Sequence, residues 1–311
     1  MICTNAHNYG RATLLLNRAG IVFRSADSGY ARWTPMPSHR HHLQAFMKNP
    51  DAEKSNAIHS TSGAKDYGFQ GALVGGATAY GWAASLFVET LGNQWLDFGW
   101  AHVRFRQPVY PGDDLVVVLD DDGSFEVRRD IDEVCCFSGE IGRGEAPWLG
   151  DIGVPSRRPP ESIADPLPDL VLEDVPVGEE LRTREVHLSV ADAGAYARDK
   201  QVETLDCFYG SDASIHPAWI AEQPIHWLHH SYNYGPSIHT ESRIQHLREG
   251  RVGQTYRVAG ICRDAYERKG HHYIVNDTEI RDAADRAVAR VQHTAIFRVR
   301  KLEAKRSDQP N

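Results

Sequence analysis

Cysteine is scarce and unpatterned: five residues in 311, at Cys3, Cys135, Cys136, Cys207 and Cys262, an odd number with no CxxC pair. That argues against a disulfide framework and for a reducing compartment, with the cytoplasm as the expected location. Long apolar runs are missing too. The longest fall well short of the roughly 20 residues that a membrane helix needs, so no spanning segment is expected. A basic excess is also absent: 34 Lys and Arg stand against 42 Asp and Glu, a formal charge of -8. General nucleic-acid binding is therefore not expected, because phosphate recognition relies on basic clusters. With 41% hydrophobic and 24% charged residues, the chain can build one large or two ordinary domains, suited to small molecules or protein partners. Before Asp27 the chain has Arg11, Arg18 and Arg24 around Leu14, Leu15 and Leu16 but no acid. This reads as a loosely ordered extension, with an organellar transit signal as the alternative.

What the sequence does contain is one pattern written twice. Residues 71–91, GALVGGATAYGWAASLFVETL, are an apolar run of helix length opening on glycines, followed by a strand-like stretch that closes at Pro111-Gly112-Asp113. An offset of 141 residues takes Gly76 to Pro217, Ala77 to Ala218 and Gly112 to Gly253. One offset shared by a helix and the strand after it indicates duplication of an αβ unit. Two such units facing each other would enclose a cleft with unequal walls.

The remaining periodicity fits this plan. WAHVRFRQPV alternates as a strand with one face to a core, DLVVVLD is a second strand, and Asp121-Asp122-Gly123-Ser124 supplies a hairpin turn before FEVRRDI and EVCCFSGEI. At least one of Cys135 and Cys136 should be a small core residue there. Residues 151–177 hold six prolines between positions 155 and 176 and read as a connector. Beyond it LRTREVHL is strand-like and SVADAGAYARDKQV helical, with Ser189 as N-cap. Three long strands then follow in TYRVAGICRDAYE, HHYIVNDTEIRDA and AVARVQHTAIFRV. The expected domains are 1–150, the 151–177 connector and 178–311.

A long central helix opening on a glycine turn, then a strand ending in Pro-x-x-Pro-Gly-Asp, resembles the hotdog fold of the MaoC-like hydratases and dehydratases. Asn56-Ala57-Ile58-His59, Ala64, Gly68-Phe69 and the Gly75-Gly76 turn match that family's signature over roughly residues 50–145. Residues 180–300 resemble a second, diverged unit. The resemblance implies an α+β tandem (double) hotdog, each half a long central helix wrapped by an antiparallel sheet. One departure stands out: five residues before His59, where the family has a catalytic aspartate, the chain has Lys54. The second half has no Asn-x-x-His; its nearest analogue is Asp212-Ala213-Ser214-Ile215-His216, one residue short and running straight into the helix.

The resemblance implies a lyase acting on an acyl thioester, delivered by coenzyme A or a carrier protein, with no cofactor and with a homodimer possible. His59 would carry protons, as an imidazole titrates near neutrality. Asn56 would position water or substrate. The N–H of Gly76 would face the thioester oxygen, since free N–H groups at a helix start carry partial positive charge, while Gly75 lets the ligand approach. The alternative for both glycines is tight packing against the sheet, and for His59 an inert surface loop. Lys54 is either solvated, or points into the cleft as a partner for a substrate carboxylate or as a proton donor if burial depresses its pKa. Asp212 or His216 could reach the cleft from the other half, and Arg104 with Arg106 could bind coenzyme phosphates or simply face solvent. Asp113 reads as a turn residue. His226 and His230 share a helix face at metal-ligand spacing, but no carboxylate or cysteine completes a set, so no metal is expected. Competing functions are thioester hydrolysis, another lyase or isomerase step, and a non-catalytic acyl-binding subunit.

Overall fold

The computed structural model describes residues 39–48 and 56–300; Cys3, Lys54 and the Arg-rich segment 1–25 lie outside the described residues. The first half runs β1 (His39–Gln44), α1 (Thr61–Asp66), α2 (Gly76–Leu91), α3 (Trp95–Phe98), β2 (Gly99–Phe105), β3 (Asp114–Leu119), β4 (Ser124–Arg129) and β5 (Cys135–Arg143). The second half runs β6 (Arg184–Leu188), α4 (Val190–Ala195), α5 (Pro217–His229), β7 (Ile238–His246), β8 (Gln254–Arg268), β9 (His271–Arg281) and β10 (Ala287–Arg298).

The strands form one antiparallel sheet in the order β1-β3-β4-β5-β2-β7-β10-β9-β8-β6. Its two halves mirror each other about the β2–β7 seam, where Ala101 pairs with Ile244 and Val103 with Ser242. This is the tandem hotdog, with the two wrapping sheets fused edge to edge. The 141-residue offset carries Gly76 to Pro217, the first residue of α2 to the first of α5. It also carries Gly112 to Gly253, both left-handed at φ 93° and 74°, a conformation that favours glycine. Beyond those turns the offset breaks, because β8 and β9 are 15 and 11 residues long whereas β3 and β4 are 6 each.

Helix α2 is apolar on nearly every side because it is enclosed on nearly every side: Tyr80, Ala83, Ala84 and Phe87 are all fully buried. It crosses α5 at Gly81, where a Cβ would lie 2.6 Å from that of Ala218. A single hydrophobic cluster joins both helices to both half-sheets, and it includes Cys136. The Ser189 hydroxyl caps α4 by accepting from Asp192 N at 3.0 Å. Asp113 is a turn residue, its carboxylate accepting from Tyr110 N at 2.9 Å.

Candidate functional site

The segment before α2 is pinned at three points. Asn56 and Ser237 exchange hydrogen bonds across the two halves: Asn56 Nδ2 donates to Ser237 O at 2.9 Å, and Ser237 N donates to Asn56 Oδ1 at 3.2 Å. Ile58 is buried against Ala64 and Leu73, and Leu73 N donates to Ile58 O at 2.9 Å. The third point is the His59 ring, whose Nδ1 donates to Leu73 O at 2.7 Å. A carbonyl can only accept, so the proton sits on Nδ1 and Nε2 is left as the basic nitrogen of the neutral ring.

Gly75 precedes α2 with no side chain capping the helix start, so the first N–H groups keep their partial positive charge. A Cβ on Gly75 would lie 3.9 Å from His59 Cε1, an ordinary contact. A Cβ on Gly76 would lie only 2.9 Å from both Cβ and Nδ1 of His239. Tight packing and an open helix start therefore coexist at this turn. His59, Asn56, Gly75 and Gly76 all line one cavity of about 740 Å³. Phe105, Arg106 and Val109 line it as well, as do Lys200 and Glu222, Ile225 and His229 of α5.

Burial raises the Glu222 carboxyl, but His226 and the Lys200 ammonium at 2.7 Å more than offset this and leave it below the usual carboxylate range. Burial and His226 push His229 down to about 4. These polar groups sit in the same cavity as His59.

The start of α5 has lost these properties. Pro217 stands where α2 has Gly76 and has no N–H to offer. His216 stands where α2 has Gly75, and its Nδ1 accepts from Ala218 N at 3.2 Å, occupying the helix start. Its Nε2 meets Glu203 at 3.2 Å, and Glu203 also accepts from Ser85 of α2 at 2.6 Å. Burial raises the Glu203 carboxyl, but the hydrogen bonds from His216, Ser85 and Leu205 N prevail and hold it at about 2. Phe208, Tyr196 and Trp219 fill the remaining space, leaving a void of about 10 Å³, room for about one water.

The structure thus brings His59, Asn56, Gly75 and Gly76 together and separates them from other expected residues. His216 is not a second wall of the His59 cavity; it plugs the other helix start. Asp212 does not reach either site, its side chain being 93% exposed beside Arg251 at 3.6 Å. Arg104 pairs with Glu241 at 3.4 Å away from the cavity, and Arg106 is the arginine on its wall. His226 lines the cavity, whereas His230 bonds to Glu161 O at 2.8 Å. No group of three or more His, Cys, Asp or Glu is placed to hold a metal among the described residues.

Of the second-half histidines expected to line the cleft, His226, His229 and His239 do so, whereas two cavity residues, Glu222 and Lys200, escaped the sequence pattern as site residues. Both belong to the second half, more than 120 positions from Gly76, and no local spacing marks them.

Comparison with known proteins agrees with this architecture. Residues 55–135 match the MaoC like domain. No curated protein matches the chain. Among solved structures it is similar to one described as a MaoC domain dehydratase from Chloroflexus aurantiacus J-10-fl, with 13% identity, 85% of this chain and 94% of that one covered, and a TM-score of 0.57. A MaoC-like dehydratase aligns at 11% identity, 83% and 98% coverage and a TM-score of 0.53. A Mycobacterium tuberculosis protein with a double hotdog fold aligns at 11% identity, 84% and 96% coverage and a TM-score of 0.51.

Proposed function

Because the chain carries a MaoC-like domain at residues 55–135 within a double hotdog fold, we propose that it adds water to, or removes it from, the acyl group of a thioester. The observation that carries this reading is the pairing of a tautomer-fixed His59 with the uncapped start of α2 on one cavity. In the hydration direction, His59 Nε2 takes a proton from water as the water oxygen bonds to Cβ of the enoyl group. The π electrons of the Cα–Cβ bond move toward the thioester carbonyl. The Gly76 N–H stabilises the enolate oxygen, and the proton held on His59 passes to Cα, restoring the neutral imidazole. Dehydration is the reverse.

Asn56 has its amide committed to Ser237 and acts by holding the His59 segment against the second half. Arg106 is the cation available at the cavity wall for the phosphates of a coenzyme or carrier arm. Thioester hydrolysis is the competing reaction, as the same N–H would serve a tetrahedral oxyanion. Hydration is favoured because residues 55–135 match the MaoC like domain; Ser237, the serine on the cavity lining, accepts from Asn56 Nδ2 at 3.2 Å.

The test is to incubate the protein with enoyl- and 3-hydroxyacyl-thioesters of coenzyme A and follow the products by mass spectrometry. Gain or loss of one water, abolished in His59→Ala, is the expected result. Release of free acid would replace this reading with hydrolysis, and binding without turnover would replace it with an acyl-binding role.

A further inference from the structure

His239 lies on the cavity wall, yet the reaction above does not use it. Of the buried side-chain polar atoms without a hydrogen-bond partner among the described residues, His239 Nδ1 is the one that belongs to this wall. Leaving such an atom unpaired costs about 1–3 kcal/mol; as the ring stands Nδ1 is closed off against Gly76, and a small turn of the ring away from Gly76 is what brings it to a ligand atom. Nδ1 lies 2.9 Å from the position a Gly76 Cβ would take. An ideal Cβ is about 2.5 Å from its own backbone nitrogen, so Nδ1 is within about 5.4 Å of Gly76 N. Two donors that close can share one acceptor oxygen at ordinary lengths of about 2.9 Å.

The other face of the ring decides whether Nδ1 is a donor. His239 Nε2 meets Ser242 Oγ at 2.7 Å, and Ser242 Oγ meets His293 Nδ1 at 3.1 Å. Ser242 has one proton, so the chain can be polarised in two directions. A hydroxyl donates over the shorter distance and a ring N–H over the longer, as is usual for these groups. In the direction where Ser242 donates to His239 Nε2 and accepts from His293 Nδ1–H, the His239 proton lies on Nδ1. Both rings stay neutral: burial holds His293 at about 3, and burial together with the nearby His293 ring holds His239 well below the usual histidine range. His239, Ser242 and His293 are each more than nine-tenths buried, so bulk water does not compete for the chain.

We propose that His239 Nδ1–H is a second donor to the substrate carbonyl oxygen, acting beside the Gly76 N–H, with Ser242 and His293 as positioning residues that fix its tautomer. A neutral imidazole can polarise a carbonyl in this way without giving up its proton. This extends the reading of the preceding section and rests on it.

Selective ¹⁵N labelling of histidine, with His239→Asn to assign the signal, reads the tautomer directly. The Nδ1–H form is expected, and an Nε2–H form overturns the proposal whatever the enzyme does. With a thioester that the wild type turns over, His239→Leu should lower kcat by about 10²–10³, the loss typical of one oxyanion donor, with little change in KM. His239→Asn, which keeps an N–H near the Nδ1 position, should recover most of that loss. Wild-type kcat in His239→Leu overturns the donor role while leaving His59 chemistry intact. Should His239→Leu fail to fold, the spectrum and the Asn variant decide. If no thioester is turned over by the wild type, the reading of the site fails and the donor role falls with it.

Discussion

At the residue scale, the two glycines at the start of α2 do different work although they are neighbours. A Cβ at Gly75 would meet only ordinary contacts at 3.7 and 3.9 Å, while at Gly76 it would press on His239. Gly75→Ala should therefore leave thermal stability nearly unchanged, and Gly76→Ala should cost about 1–3 kcal/mol, the usual penalty for overpacking. Thermal melts of the two variants check this difference. Buried titratable groups also give the fold a defined acid limb. His246, held at about 4 by burial, and His229, at about 4, bind protons more readily unfolded. Their stabilisation is complete above the unfolded value near 6.5 and fades as pH falls toward 4. Glu203 follows the same sign lower down: its contribution is present above 4.5 and lost as pH approaches 2. Tm should decline in two stages below pH 6.5, and Glu203→Gln should flatten the lower one.

At the scale of elements, α2 and α5 show how a duplicated unit keeps its backbone and loses its site. Both helices are followed by a strand and a left-handed glycine, Gly112 or Gly253. At Gly112 a Cβ would meet nothing within 4 Å, so Gly112→Ala isolates backbone strain and should cost about 1–2 kcal/mol in denaturant unfolding. The divergence lies instead at the helix starts. Gly75-Gly76 leaves N–H groups free beside a large cavity, whereas His216-Pro217 removes one N–H and caps another. The repeat was legible in sequence because the 141-residue spacing survives from the helix through the glycine turn. The plugging of the second site was not, because Ser85 reaches the Glu203 that holds His216 only after the two helices pack.

At the scale of the whole molecule, the β2–β7 seam makes one sheet of two units, and of the two helix starts it is that of α2 that opens on the large cavity. An acyl thioester should bind at one site per chain, which isothermal titration calorimetry would measure directly. Because one hydrophobic cluster spans the seam, tryptophan fluorescence and far-ultraviolet circular dichroism should follow one unfolding transition. No helix among the described residues is long and apolar enough to cross a membrane.

By itself, the sequence determined the duplication and most of the strand and helix order, because these depend on periodicity, turn chemistry and spacing along the chain, while the α+β class and the candidate Asn56-x-x-His59 segment were read from its resemblance to a known family. Only the tertiary structure decided which helix start stays open, that Asp212 and Arg104 point elsewhere, and that His239 meets Gly76. The Arg104–Glu241 and Gly76–His239 contacts join residues more than 130 positions apart and Ser85–Glu203 joins residues 118 apart, and such contacts exist only once the two halves have closed along their seam.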